Sequence, residues 1–380
     1  MTPGLSGAAE PPEPEPSWLG PPQPGETARQ KIARRFRAQG LGCDALGSAI
    51  YGRILARAAA DVEAGGPVWD VVGPHAGDPG GSALALRLMG ATHRLALIGE
   101  APLLAARYPS TGGDGDPEAA WAAWFALVED RGADLVSLVD RGVQTNEVGR
   151  SAALLGGFLA VARSSGLPLR VLEVGTSAGL NLRWDLFRYR CGTAEWGRPG
   201  SPVDLGDPFV GDHRPVLAPA SVEVVERRGC DLNPIDPTSD EGRLTLLSFV
   251  WPDQTVRFAN LAGACDVARE TPVAVDRASG DAWVSERLSN RTTGVATVVF
   301  HSIMRQYMTR EAQSALEAAL LDAGAGATVE APIAWLSFEP RDTLASDMVV
   351  RLTTWPGGQE RLLAVAHPHG SWVRWEGEAT

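Results

Sequence analysis

Residues 169–186 read LRVLEVGTSAGLNLRWDL. The first part, LRVLEV, is an apolar run without alternation, bounded by Pro168 and Gly175. A strand buried on both faces of a parallel sheet has this look, because helices cover both sides and leave no face for polar residues. The run reaches Glu173 and Val174, enters the small-residue turn Gly175-Thr176-Ser177-Ala178-Gly179, and is expected to continue into a helix. Small residues let backbone approach a ligand, and a helix N-terminus offers unpaired N–H groups to polar or anionic atoms. The competing reading of the same residues is a tight strand–helix turn whose glycines serve packing.

Four later segments share the look of a buried strand: VEVVER (222–227), PVAVD (272–276), VATVVFH (295–301) and PIAWLSFE (332–339). Helical patterns such as EGRLTLLSFVWP and REAQSALEAALLDAG lie between them. Alternating strand and helix predicts an α/β domain with a mostly parallel, Rossmann-like sheet over 166–380. The end of the chain differs. MVVRLTTWPGGQERLLAVAHPHGSWVRW (348–375) reads as strands joined by Pro356-Gly357-Gly358 and by His367 to Gly370, an antiparallel hairpin at the sheet edge.

Before residue 166 the pattern is helical. Segments 28–39, 45–65, 83–99, 117–142 and 147–166 repeat apolar residues at three-to-four spacing, with Gly and Pro between them. They predict an all-helical domain over 27–165. Residues 1–26 are dense in Pro, Gly and Glu, cannot bury enough apolar surface to offset ordering entropy, and are expected to be a disordered tail. Glu173 and Asp231 are 58 positions apart, whereas a plain strand–helix–strand unit needs about 30. The excess, rich in Gly and Pro, predicts an inserted loop or lid over 187–219.

The 380 residues allow about two domains and a large core. The formal net charge of -12 disfavours nucleic acid and anionic membrane surfaces as partners, since both would repel the chain. Lys31 is the only lysine, and with abundant Ala, Gly and Pro this reads as GC-rich coding, so arginine abundance says little about phosphate binding. Cys43, Cys191, Cys230 and Cys265 are far apart with no CxxC, so no metal site is read and buried thiols in a reducing compartment are expected. With no signal peptide or membrane-length apolar stretch, a cytoplasmic protein is expected.

The strand ends carry the candidate chemistry. Asp231, in GCDLNPID, ends the second strand, where an acid suits two ribose hydroxyls. Gly280-Asp281-Ala282 follows the third, where an acid suits an adenine amino group. His301 and Ser302 end the fourth. His301 is the expected general base, because an imidazole titrates near neutral pH. Each has a bland alternative: a turn cap for Asp231, a helix N-cap for Asp281, a satisfied buried ring for His301. VQTNEVGRS (143–151) sets Asn146, Glu147 and Arg150 in a polar row, read either as a helix start capped by Asn146 or as a segment closing over a ligand. Arg183 is a candidate for a substrate carboxylate, and Trp251 and Asp253 in VWPDQ read as structural.

This pattern resembles the class I S-adenosylmethionine-dependent methyltransferases. LEVGTSAGLNL is similar to their glycine-rich first motif, GCDLNPID to the acidic end of strand two, SGDAW to the motif after strand three, and the terminal hairpin to their antiparallel last strands. The resemblance covers about 150–375. It implies S-adenosylmethionine as cofactor, held by Glu173, Gly175, Ser177, Gly179, Asp231 and Asp281, with His301 and Ser302 catalytic and Asn146, Glu147 and Arg183 toward a small-molecule substrate. His301-Ser302 departs from the Asn-Pro-Pro-aromatic signature of amino methyltransferases, so an adenine or glutamine amide is disfavoured as acceptor. The whole chain also resembles an actinobacterial family of unknown function, through QTNEVGRS, EVGTSAGLNL, GCDLNPID, VWPDQ and VVFHS.

Two alternatives stay open. One is an elimination or ring closure by an enzyme of the same fold, with Asn146, Arg183 and His301 holding the substrate. The other is a non-catalytic small-ligand sensor or scaffold. A dinucleotide dehydrogenase fits poorly, because the turn lacks G-x-G-x-x-G.

Overall fold

A computed structural model describes residues 24–342 and 347–377. The Pro-rich tail expected over 1–26 lies outside the described residues except for 24–26. The chain divides into two compact units, Met1–Val143 with Trp251–Asp253, and Gln144–Val250 with Gln254–Thr380.

The first unit is helical. Its helices are α1 (Ala28–Ala45), α2 (Ala49–Ala64), α3 (Pro67–Val72), α4 (Leu84–Leu97), α5 (Pro102–Ala105) and α6 (Pro117–Val139). Local chemistry sets their starts. Thr27 and Gln30 form a capping box on α1, and Asp116 accepts from the Glu118 and Ala119 amides ahead of Pro117 on α6. Their apolar faces meet in one core that includes Phe36, Ile54, Leu55, Leu88 and Trp124. Asp253 belongs to this unit although its partners Ser48 and Ile50 lie 205 and 203 residues away along the chain. Its carboxylate accepts from the Ser48 hydroxyl at 2.7 Å and the Ile50 amide at 3.1 Å, holding the start of α2.

The second unit begins with α7 (Arg150–Ser165) and β1 (Leu169–Val174). Then follow the small hairpin β2 (Arg188–Cys191) and β3 (Ala194–Gly197), β4 (Val224–Asp231), α8 (Asp240–Ser248), α9 (Thr255–Glu270), β5 (Ala274–Arg277), α10 (Gly280–Leu288), β6 (Ala296–Ser302), α11 (Arg310–Ala325), β7 (Ile333–Pro340), β8 (Met348–Trp355), β9 (Gln359–Ala366) and β10 (Val373–Trp375). The large sheet runs β10-β9-β8-β7-β6-β1-β4-β5. The strands from β7 to β5 pair in parallel, and β8 to β10 extend β7 as an antiparallel meander. The parallel strands therefore stand third-second-first-fourth-fifth, an order of doubly wound sheets, with the chain reversing between β1 and β6. β1 and β6 are buried along their whole length, which accounts for their unbroken apolar sequence. On one face Leu172, Val174 and Val299 pack against Trp283, Leu316 and Leu320 of α10 and α11. Each such side chain contributes about 1.5–3 kcal/mol. The alternate residues Val171 and Glu173 point to the other face, where α7 covers β6, β7 and β8.

Three expectations change. The helix at 150–165, assigned above to the N-terminal domain, packs on the sheet, and Gly156 and Gly157 let it do so: a Cβ on Gly157 would run into Leu336. No α-helix follows the glycine turn. A short 3-10 segment, Asn181–Leu186, takes its place, broken at Arg183. The Trp184 ring lies between Phe158 and Trp196, with centroids 4.3 and 5.2 Å away, and that stack draws the chain inward before a helix is built. The 187–219 insertion is not a plain loop, since it carries β2 and β3, and Trp196 seals it to the core.

Candidate functional site

The carboxyl ends of β1, β4, β5 and β6 deliver their loops to one rim. The β1 turn is held there by its own protein. The Gly175 and Thr176 amides donate to the Cys230 carbonyl, the Gly179 amide to the Thr176 carbonyl, and the Ser177 amide to Asp231 at 2.8 Å. The Leu180 amide donates to Asn146 Oδ1 at 2.8 Å. Gly175 and Gly179 lie at φ +70° and +69°, and Ser177 at +54°, so the turn needs left-handed backbone at three positions. The expected helix N-terminus with free N–H groups is therefore absent here: five of these amides already have acceptors.

Each candidate residue has a definite place. Asp231 is half-buried. Its second oxygen accepts the Asn233 amide at 2.8 Å, so it both caps a turn and stitches β4 to the β1 turn. Asp281 sits half-exposed in the first turn of α10, where a carboxylate complements the helix dipole; the N-cap itself is Ser279. Gly280 lies against Val174, and a Cβ on Gly175 would stand 2.8 Å from Met304 Cβ. Asn146 is not the cap of α7, whose N-cap is Gly149; its side chain is spent on Leu180. Glu147 is buried in an ion pair with Arg257 and also accepts the Gly149 amide. These two line a cavity of about 20 Å³ with Thr145, Leu246 and Phe249. Its walls are part polar and part apolar, and it is roomy enough for about one water.

Arg183 is turned to the protein's own carbonyls. It is buried, donating to the Gly179 and Thr271 carbonyls, both at 2.7 Å, and burial together with Arg227 lowers its pKa to about 10. His301 is corrected as a base. Its ring is fully buried, Nδ1 is 2.7 Å from Glu339, and Nε2 accepts the Trp335 indole N–H at 2.9 Å, so the lone pair a base would use is occupied. Ser302 is buried, and its carbonyl receives Arg150 at 2.9 Å.

Glu173 is the charged group with the most unusual surroundings. It is 1% exposed at the carboxyl end of β1 and takes a short hydrogen bond from the Thr176 hydroxyl. Burial pushes its carboxyl up to about 8, with Asp231 adding to the rise and Thr176, Arg150 and Arg183 opposing it. Arg150 bonds to the Ser302 and Pro368 carbonyls, and burial lowers its pKa. A proton-holding carboxyl, two arginines spent on carbonyls and a hydroxyl thus share the α7 face beside the switch point.

The model of a family described as uncharacterized proteins conserved in bacteria, DUF2332, matches residues 33–375. The chain belongs to this family. No curated protein and no solved structure matches the chain. The DUF2332 match spans both units.

Sequence reasoning missed Met304 and Glu339. The signal for Glu339 was present: PIAWLSFE is a buried run closing on an acid, the same form as LRVLEV. Met304 had no such signal, because its position follows from Ile303 adopting φ +51°. Of the cysteines, Cys43, Cys230 and Cys265 are buried and Cys191 is half-buried. No described helix is long and apolar enough to cross a membrane.

Proposed function

We propose that the second unit is an S-adenosylmethionine-dependent methyltransferase acting on a small molecule at this rim. The observation that carries the reading is the meeting of four strand-end loops: Asp231 bonds to the β1 turn, Gly280 touches Val174, and Met304 from the β6 loop lies on Gly175. The donor set fits such a ligand in kind. Gly175 is exposed, Asp231 and Asp281 are partly exposed acids, and Glu173 lies just below. Asp231 and Asp281 would hold the nucleoside, Gly175 would admit it closely, and Ser177 and Gly179 would act through the shape of the turn. When bound, S-adenosylmethionine supplies a methyl group on a sulfonium. Glu173 is the group on this rim suited to hold or release a proton near pH 8. A cytoplasmic location and an actinobacterial source belong to the same proposal.

The engaged amides of the turn favour a second reading, an enzyme of this fold that performs an elimination or cyclisation, or a protein that only binds a small ligand. Two measurements separate them. Calorimetry of the full chain with S-adenosylmethionine tests the donor, and binding weakened at least tenfold by Asp231→Ala supports it. Mass spectrometry of ligand released from purified protein tests the alternative, which a molecule unrelated to the donor would favour.

A further inference from the structure

Residues Ile303 to Tyr307 cross the rim between β6 and α11. A Cβ on Gly175 would stand 2.8 Å from Met304 Cβ, and one on Gly280 would stand 3.9 Å from Met304 Cε. The thioether therefore spans the space between the loops after β1 and β5. Met304 is half-buried against the core cluster that holds Val174 and Trp283, and Gly175 remains exposed beside it, so a flexible side chain is what lies over the β1 turn.

The backbone under Met304 is held against strain. Ile303 is β-branched and sits at φ +51°, a conformation that costs about 1–3 kcal/mol and persists only when its surroundings enforce it. Glu339 does the enforcing. One carboxylate oxygen receives the Met304 amide at 3.1 Å, the Arg305 amide at 3.5 Å and His301 Nδ1 at 2.7 Å. The other oxygen is buried with no hydrogen-bond partner among the described residues. Trp335 fixes the far side of the His301 ring, so His301 positions Glu339. Gln313 anchors the far end through the Arg305 and Met308 carbonyls, while Tyr307 stands 70% exposed between these anchors.

We propose that Met304 is a plug and Glu339 its latch: the strap 303–307 closes a ligand site between the β1 turn and Gly280, and the site opens when the strap lifts from Glu339. The inference rests on reading this rim as the S-adenosylmethionine site. It explains why a turn shaped for close approach carries a side chain across it.

The test pairs calorimetry with hydrogen exchange on the full chain. Met304→Ala is expected to bind S-adenosylmethionine at least tenfold more tightly than wild type, with Met304→Leu, which keeps the plug, close to wild type. Equal affinity in wild type and Met304→Ala overturns the plug while leaving the donor site standing. If neither binds, the donor reading falls, and exchange without ligand decides the latch. Glu339→Gln should then speed exchange at the Met304 and Arg305 amides at least tenfold, with residues 171–174 as protected as in wild type. Unchanged exchange at the strap overturns it. Protection at 171–174 also reports that each variant is folded.

Discussion

Glu173 carries a carboxyl where water scarcely reaches, and its titration reports on the rim directly. Its folded pKa of about 8 lies above the ordinary 4.5. Between these values the folded chain keeps a proton that the unfolded chain has released. Its contribution is therefore complete below about pH 4.5, falls as pH rises through about 8, and is lost above that. Glu173→Gln should remove this slope. Urea unfolding at about pH 5 and about pH 9 should show the variant gaining on wild type by a few kcal/mol at the higher pH; parallel curves would place Glu173 outside the proton-holding role. His301→Phe makes the complementary point. It deprives Trp335 of an acceptor and Glu339 of a donor, so stability should fall by about 1–3 kcal/mol. The identity of these residues was legible in the sequence, but their partners were not. Nothing local to His301 announces Trp335, which is 34 residues away.

Among elements, β1 and β6 were the most legible, because burial on both faces leaves an unbroken apolar run there, whereas β4 and β5, expected to be buried in the same way, are largely half-buried or exposed. LRVLEV marks β1 to the residue, and the other parallel strands lie within a few positions of their expected segments. The helix after the glycine turn failed for a reason sequence periodicity does not register: Asn146, Arg183 and a three-ring stack compete with the helical ladder for the chain. α9, with apolar residues scattered round its circumference, was not read as a helix. Packing of α7 on the sheet depends on Gly157, where added bulk meets Leu336. Gly157→Leu should cost about 1–3 kcal/mol or more, as overpacking does, and the denaturation midpoint measures it; a midpoint equal to wild type would mean α7 does not lie so close.

At the scale of the whole molecule, the sequence implied two units but misplaced their boundary. Helical periodicity alone assigned 150–165 to the first unit, whereas burial against β6 and β7 assigns it to the second. The return of Trp251–Asp253 to the first unit was also illegible, since VWPDQ looks like a turn and its partners Ser48 and Ile50 lie far away in sequence. Asp253→Ala should leave the start of α2 without these bonds and cost about 1–2 kcal/mol. Exchange at α2 amides would rise with it, and unchanged protection there would contradict the tie.

The central claim is that the rim joining Gly175, Asp231, Asp281 and Met304 receives S-adenosylmethionine. The most direct measurement is an isothermal titration of the folded full-length chain with that molecule, run on wild type, Met304→Ala and Asp231→Ala. The account predicts one site per chain, tightest in Met304→Ala and at least tenfold weaker in Asp231→Ala. Absence of heat from both wild type and Met304→Ala at about millimolar donor, where binding worth about 4 kcal/mol would register, would contradict it.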